Sequence, residues 1–185
     1  MARFAAGDSR AFVALVERWE APARRYAYRC FGDHQIAEDV AQEAFVRLHG
    51  SAARYRPTAR FNTYFYTIIG NLCRDRARKR KRRTDRGVVR DEAVELTELT
   101  DGAPHLQPDE LAMIAEQREL VRAAVATLPT KLMEALSLRE FEGLAYREIA
   151  DVMDANLGEV KTWIHRARKK LAERLRAVLQ REGID

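Results

Sequence analysis

Residues 143–171 read GLAYREIADVMDANLGEVKTWIHRARKKL, and this stretch decides how the C-terminal part of the chain folds. Its apolar residues recur at intervals of three and four over 146–153 and again from residue 157, which predicts two amphipathic helices. Only residues 154–156 lie between them, so the connection is a tight turn. Two helices joined in this way are typical of a helix-turn-helix.

The second helix of this unit has a fixed start and two contrasting faces. Asn156 can cap the helix, and Glu159 lies three residues later, which is the spacing of a capping box. At 100° per residue, one narrow stripe is apolar and is expected to pack on the first helix, with Trp163 at its flank. The residues predicted to face inward are Ile149, Ala150 and Met153 in the first helix and Val160, Ile164, Ala167 and Leu171 in the second. The opposite arc faces solvent and can donate to phosphates and base edges, as a DNA-reading helix requires. It carries Lys161, Thr162, His165, Arg166, Arg168 and Lys169.

A second basic segment lies at residues 60–83, RFNTYFYTIIGNLCRDRARKRKRR, whose second half carries eight Lys or Arg against one acid. Basic residues that follow phosphates, beside aromatic rings that stack on bases, suit single-stranded nucleic acid. A solvated tail or a non-specific phosphate clamp explains the basic run equally well. Packing in a core is predicted for Phe61, Phe65 and Leu72, and contact with DNA for Asn62, Tyr64 and Asn71.

An acidic helix is predicted at residues 35–49, QIAEDVAQEAFVRLH. Its core stripe is Ile36, Val40, Ala44 and Leu48. A second face groups Glu38, Asp39, Gln42 and Val46. An exposed valine among acids and an amide indicates a surface that binds a protein, because acidic residues repel DNA. A solvated acidic face is the alternative.

The whole chain of 185 residues is predicted to be all-α, since strand periodicity is nearly absent. Two small helical domains, 1–83 and 111–182, are joined by residues 84–110, a flexible linker with eight acids and two arginines. The net charge of +5 favours polyanionic partners. Helices are predicted near 9–30, 34–50, 60–82, 109–127, 130–142, 146–153 and 157–179.

Few other chemistries fit the composition. Cys30 and Cys73, without CxxC spacing, are interpreted as reduced packing residues, and the four histidines complete no zinc pattern. No metal site, cofactor or catalytic constellation is expected, which argues against an enzyme such as a nuclease. No apolar run approaches the ~20 residues of a membrane span, and no signal-peptide core is found, so a cytoplasmic protein without membrane insertion is expected.

Three segments in this order resemble the extracytoplasmic-function (ECF) subfamily of the sigma-70 family. Residues 7–49, GDSRAFVALVERWEAPARRYAYRCFGDHQIAEDVAQEAFVRLH, are similar to the start of the family's second domain. Residues 55–83, YRPTARFNTYFYTIIGNLCRDRARKRKRR, resemble its promoter-melting part. Residues 128–171, LPTKLMEALSLREFEGLAYREIADVMDANLGEVKTWIHRARKKL, resemble its fourth domain with the helix-turn-helix.

The resemblance implies a factor that binds core RNA polymerase and directs it to promoters. It implies docking on the clamp helices of the beta-prime subunit by Asp39, Gln42, Glu43, Phe45 and Val46. It implies capture of the melted minus-10 element by Tyr55, Arg56, Asn62, Tyr64, Asn71, Arg74, Arg78 and Lys79. It implies reading of the minus-35 duplex by Arg147, Lys161, Thr162, His165, Arg166, Arg168 and Lys169. The fourth domain would also grip the beta flap, and an anti-sigma factor is an expected partner.

The chain departs from the family pattern at four positions. Tyr64 stands where a tryptophan is common, Ala145 where a Ser or Thr caps the first reading helix, Glu159 where a threonine is common and Trp163 where an arginine is common.

The competing hypothesis is an autonomous helix-turn-helix regulator. It explains the C-terminal segment but leaves the acidic face and the aromatic and basic helix without a purpose.

Overall fold

The described residues of the computed structural model, 1–52, 55, 60–85 and 120–182, form eight helices and contain no strand. The helices are α1 (Ala2–Ala5), α2 (Ser9–Phe31), α3 (His34–Gly50), α4 (Phe61–Asp85), α5 (residues 120–126), α6 (Thr130–Glu140), α7 (Tyr146–Met153) and α8 (Leu157–Glu182). The all-α prediction is confirmed.

Local chemistry fixes where the N-terminal helices begin and end. The Asp8 carboxylate accepts from the backbone N–H of Arg10 at 3.1 Å and caps the start of α2. Gly32, with φ of 64°, ends α2 in the left-handed conformation that glycine adopts without strain. Asp33 then caps α3 by accepting from the N–H of Ile36 at 2.9 Å. A single glycine and one acid therefore turn the chain between two long helices.

The predicted helices 34–50 and 146–153 have the predicted bounds, and those of α2, α4, α6 and α8 differ by one to three residues at their ends. The short α1 was not predicted, because four residues are too few to show helical periodicity. Of the helix predicted at 109–127, residues 120–126 are helical and 109–119 lie outside the described residues. The predicted linker at 84–110 also lies outside them, apart from 84 and 85, which end α4.

Helices α1–α4, here called the N-terminal module, and α5–α8, the C-terminal module, each bury an apolar centre. In the N-terminal module Leu48 on α3 and Phe65 on α4 are fully buried. In the C-terminal module Leu138 on α6, Ile149 on α7 and Val160 on α8 are fully buried. The two helices of the helix-turn-helix pack on one another, as their apolar stripes predicted, and both also pack on α6.

The two modules also pack on one another. One continuous apolar cluster joins Tyr26, Phe65 and Ile69 of the N-terminal module to Leu138 and Ile149 of the C-terminal module. In this interface α4 lies against α7, and α2 lies against α6. We call this contact the inter-module interface. It was not predicted, because helical periodicity identifies an apolar face but not the helix that covers it.

Candidate DNA-binding and polymerase-docking surfaces

The start of α8 is fixed by the capping box that the sequence predicted. The Asn156 side-chain oxygen accepts from the N–H of Glu159 at 2.9 Å, and the Glu159 carboxylate accepts from the N–H of Asn156 at 3.0 Å. The amide nitrogen of Asn156 donates to the same carboxylate at 2.7 Å. These bonds satisfy N–H groups that a helix start leaves open, and they set the angle at which α8 leaves the turn.

Along α8 the buried and exposed sides separate as predicted. Val160, Ile164 and Ala167 are buried, and Leu171 is half-buried. All members of the opposite arc, here called the recognition face, are exposed: Lys161, Thr162, His165, Arg166, Arg168 and Lys169. One side of the helix is thus anchored while the other carries its donors into solvent.

Two members of the recognition face are held in place. Arg168 donates from Nε to Glu140 of α6 at 3.0 Å, and this hydrogen bond raises the pKa of the guanidinium. The Thr162 hydroxyl donates to the Gly158 carbonyl at 2.9 Å. Trp163 lies at the flank, half-buried, with Lys131 Nζ 5.3 Å from its ring centroid. A packing position for this tryptophan is confirmed.

In α7 the residues predicted to face inward do so, and one was missed. Ile149 is fully buried, and Ala150 and Met153 are half-buried against the same apolar cluster. Val152, which was not predicted, is also buried. The reason is that α7 packs on α4 as well as on α8, so the buried side is wider than one stripe.

The start of α7 shows how the helix does without the missing side-chain cap. Ala145 has no oxygen to cap with, but the Glu148 carboxylate accepts from its N–H at 2.8 Å. Half of a capping box therefore remains. Arg147 is exposed on this helix.

The aromatic half of α4 combines core and surface rings. Phe65 and Leu72 are buried as predicted, and Phe61 is half-buried with its ring stacked 5.7 Å from that of Phe65. Tyr64 is half-buried, donates from its hydroxyl to Ser51 at 2.7 Å, and meets the Tyr55 ring edge-on at 5.2 Å. The two tyrosines thus form a small aromatic pair beside α4.

The polar residues predicted for minus-10 contact do not all face solvent. Asn62 is half-buried and accepts from the N–H of Thr63 at 2.8 Å, whereas Asn71 is exposed and accepts from Arg74 Nη2 at 2.6 Å. Arg78 and Lys79 lie further along α4, with Arg78 paired to Asp75 at 2.6 Å. Arg56 lies outside the described residues.

The acidic face of α3 is exposed over Glu38, Asp39, Gln42, Glu43 and Val46. Val46 is 71% exposed, more than any other large apolar side chain among the described residues. Asp39 pairs with Arg76 of α4 at 2.8 Å, and Glu43 pairs with Arg47 at 2.6 Å. This exposed apolar residue amid charges is the arrangement expected of a docking surface.

Phe45 is the exception among the predicted docking residues. It is 8% exposed, and its ring lies 5.2 Å from that of Phe65. It faces inward because it lies one turn from Ala41 and Leu48, which share the buried side of α3. Phe45 therefore fixes α3 on α4, and the predicted docking surface is limited to its exposed neighbours.

Sequence reasoning missed the polar groups of the inter-module interface. Arg74 of α4 pairs with Glu134 of α6, and Arg29 of α2 pairs with Glu142. Burial raises the pKa of Glu134, although Arg74 acts in the opposite direction. The only available signal was the presence of these acids among apolar residues of the C-terminal module, which does not identify their partners.

Within the described residues, no group of His, Cys, Asp or Glu is arranged to hold a metal ion. Both cysteines are free thiols, with Cys73 buried and Cys30 half-buried. The hydrogen bond with Cys30, together with burial, raises the pKa of the Cys73 thiol. No helix in the described part of the chain is long and apolar enough to cross a membrane.

Comparisons with known proteins agree with this geometry. The family model for sigma-70 region 2 matches residues 15–83, and that for sigma-70 region 4 matches residues 118–171. The RNA polymerase sigma-H factor of Pseudomonas aeruginosa is 35% identical, over 94% of this chain and 91% of the relative. The ECF RNA polymerase sigma factor SigW of Bacillus subtilis is 30% identical, over 92% and 91%.

The fold has a solved counterpart. The sigma factor RpoE of Bartonella quintana, crystallised with the anti-sigma factor NepR, matches with a TM-score of 0.73 and 23% identity. The match covers 90% of this chain and 97% of that one. The two sigma-70 regions lie in order along the chain, and the relatives match over nearly their whole length. The chain therefore belongs to the sigma-70 family of RNA polymerase sigma factors, in its ECF subfamily.

Proposed function

We propose that this sigma factor directs core RNA polymerase to promoters through three surfaces of its own. The recognition face of α8 reads the minus-35 duplex, α4 with the Tyr55–Tyr64 pair holds the melted minus-10 strand, and the exposed face of α3 docks on the beta-prime clamp helices. The observation that carries the proposal is α8, which is capped at its start, anchored on one side and lined with exposed donors on the other. That is the geometry of a recognition helix.

Run-off transcription with purified core polymerase tests this function. The expected result is a promoter-dependent transcript only when both the chain and the core polymerase are present. Arg166→Ala with Lys169→Ala should abolish the transcript, since both side chains lie exposed on the recognition face. A shift of promoter DNA by the chain alone, with no transcript from the mixture, would favour an autonomous helix-turn-helix regulator instead.

The docking surface has its own test. Asp39→Arg with Gln42→Ala reverses one charge and shortens one side chain at the centre of the exposed α3 face. Affinity for core polymerase should therefore fall at least about tenfold, which is typical when the centre of an interface is disrupted. Glu17→Arg, an exposed acid on α2 outside this face, is the control and should leave affinity unchanged. Equal polymerase affinity for the double variant and the wild type would contradict the docking assignment.

We further propose that the chain acts by binding and not by catalysis, and that it works in the cytoplasm. We also propose that an anti-sigma protein inhibits it. Membership of the ECF subfamily supports each statement. The prediction for the partner is specific: a purified anti-sigma protein, added before core polymerase, reduces the run-off transcript in proportion to its concentration. Recovery of the chain outside the cytoplasm on cell fractionation would contradict the location.

A further inference from the structure

The two cysteines of the chain lie side by side in the fold, although residues 31–72 separate them in sequence. Cys30 is in the last turn of α2, and Cys73 is in the middle of α4. Both are free thiols, and a hydrogen bond joins them. We propose that they form an oxidation site for peroxides, in which Cys30 reacts first and Cys73 then closes a disulfide within the chain.

The positions of the two thiols suit a cross-link between helices. Because their sulfurs are already within hydrogen-bond distance, rotation about the Cα–Cβ bonds brings them together without a large movement of either helix. Cys30 precedes Phe31, the last residue of α2, and the ends of helices fray more readily than their interiors. The end of α2 can therefore make the remaining adjustment while α4 stays in place.

The two thiols differ in their access to solvent. Cys73 is 5% exposed, whereas Cys30 is half-buried. Both line a cavity of about 370 Å³, and Lys81 and Thr130, which also line it, are exposed, so the cavity opens to solvent. A water molecule takes up ~30 Å³ of the liquid, so the cavity has ample room for hydrogen peroxide. Cys30 is therefore the thiol that a small oxidant reaches first.

The charge of this cavity favours attack on a peroxide. The basic side chains that line it are Arg74, Arg80 and Lys81. Glu134 is the one acid among the described lining residues. When a sulfur attacks a peroxide, negative charge develops on the oxygen that leaves, and nearby cations stabilise that charge.

Cys73 is suited to the second step. Its hydrogen bond with Cys30, together with burial, raises the pKa of its thiol, so the sulfur keeps its proton and donates it to the Cys30 sulfur. A buried, protonated thiol is a poor first target for an oxidant. It already contacts the sulfur that peroxide would oxidise, however, which is where a resolving thiol must lie.

The oxidation proceeds in two steps. The Cys30 thiol loses its proton, and its sulfur attacks one peroxide oxygen. A sulfur–oxygen bond forms, the oxygen–oxygen bond breaks, and the departing hydroxide takes up a proton as water. The Cys73 sulfur then attacks the sulfenic acid on Cys30. The sulfur–sulfur bond forms, the sulfur–oxygen bond breaks, and hydroxide leaves with the Cys73 proton as a second water. Two thiols are thereby oxidised to one disulfide, and one hydrogen peroxide is reduced to two waters.

The disulfide would tie the end of α2 to the middle of α4 inside the N-terminal module. It closes a loop over residues 31–72, which contains all of α3. A cross-link across such a loop restricts the unfolded chain more than the folded one. The oxidised chain should therefore melt several degrees above the reduced chain, and dithiothreitol should reverse the difference.

Hydrogen peroxide added to the reduced, full-length chain tests the site. The intact mass of the wild type should fall by two hydrogen atoms, and a non-reducing digest should contain the Cys30 and Cys73 peptides joined. Cys73→Ser removes the second thiol, so the reaction should stop at a sulfenic acid on Cys30, which dimedone labels. Cys30→Ser is the matched control, and its buried Cys73 should stay unlabelled.

Two results for the wild type would overturn the proposal: both thiols still reduced after peroxide, or a disulfide that forms only between two chains. Dimedone labelling of Cys73 in a folded Cys30→Ser chain, as strong as that of Cys30 in Cys73→Ser, would overturn the order of the steps. Circular dichroism checks the fold of both variants. If either is unfolded, the mass and the melting temperature of the wild type still decide whether the disulfide forms.

The oxidation site is independent of the proposed promoter function. Mass, labelling and melting are measured without polymerase or DNA. A chain that forms the disulfide but fails in run-off transcription would contradict the proposed function alone. A chain that directs transcription but keeps both thiols reduced in peroxide would contradict the oxidation site alone.

Discussion

Tyr64 stands where the family more often has a tryptophan, and its neighbours hold the smaller ring in a fixed position for stacking on a base. Its hydroxyl is held by Ser51 and its ring by Tyr55, so the ring is fixed before DNA arrives. We predict that Tyr64→Ala weakens single-stranded DNA binding about 5- to 150-fold, the equivalent of ~1–3 kcal/mol of stacking. Tyr64→Phe keeps the ring and should bind as the wild type does in a fluorescence titration. Equal losses in both variants would assign the effect to the Ser51 hydrogen bond.

Glu134 makes the stability of the inter-module interface depend on pH. The groups that face it are Tyr26 and Cys30 of α2, Cys73 and Arg74 of α4, and Lys131 of α6. Burial raises its pKa in the folded chain, whereas in the unfolded chain the carboxyl is exposed and titrates near the ordinary value of ~4.3. The folded chain therefore binds the proton more readily. The contribution of Glu134 to the free energy of unfolding should rise as pH falls through the raised pKa, and level off below the ordinary value.

Urea denaturation at several pH values across this window checks the prediction. The free energy of unfolding of the wild type should rise on acidification relative to that of Glu134→Gln, which has no proton to bind there. The same pH profile in both chains would show that another group is responsible.

At the scale of helices, the sequence predicted what periodicity and capping determine. Spacing along one helix is enough to predict the capping box of Asn156 and Glu159 and the apolar stripe of Val160 and Ile164. It also predicts the exposed recognition face. The errors arose where a helix contacts a distant one. Val152 was missed because α4 covers a residue that a single-helix pattern leaves ambiguous. Phe45 was assigned to docking by the family resemblance, and its ring instead packs beside that of Phe65 on α4.

The capping box of α8 gives a prediction at this scale. Asn156→Ala removes the oxygen that accepts from the N–H of Glu159, so the free energy of unfolding should fall by about 1 kcal/mol. Asn156→Asp keeps an acceptor, although it places a second carboxylate beside Glu159, and should lose less. Urea denaturation followed by circular dichroism measures both. A loss as large for the aspartate as for the alanine would show that the repulsion between carboxylates, and not the cap, controls this turn.

For the whole molecule, composition and motif order predicted an all-α chain with two DNA-contacting parts, but not their packing. Nothing in the local sequence distinguishes the acids at 134, 142 and 148 from solvated charges. Their partners lie 60, 113 and 85 residues away in sequence, at Arg74, Arg29 and Thr63. Helical periodicity does not identify pairs between residues so far apart in sequence. The sequence therefore predicted which surfaces contact DNA, and the structure added that the modules which carry them pack on one another.

This packing should make unfolding cooperative across both modules. Since one apolar cluster runs from Tyr26 to Ile149, the wild-type chain should melt in a single calorimetric transition whose calorimetric and van't Hoff enthalpies agree. Glu142→Arg weakens the coupling but leaves each module's own core intact, so two transitions, or one with a van't Hoff enthalpy well below the calorimetric value, should appear. Glu20→Arg, which makes the same charge change at an exposed residue of α2, is the control and should melt as the wild type does. A single undivided transition for Glu142→Arg at the wild-type temperature would mean that the inter-module interface contributes little to stability.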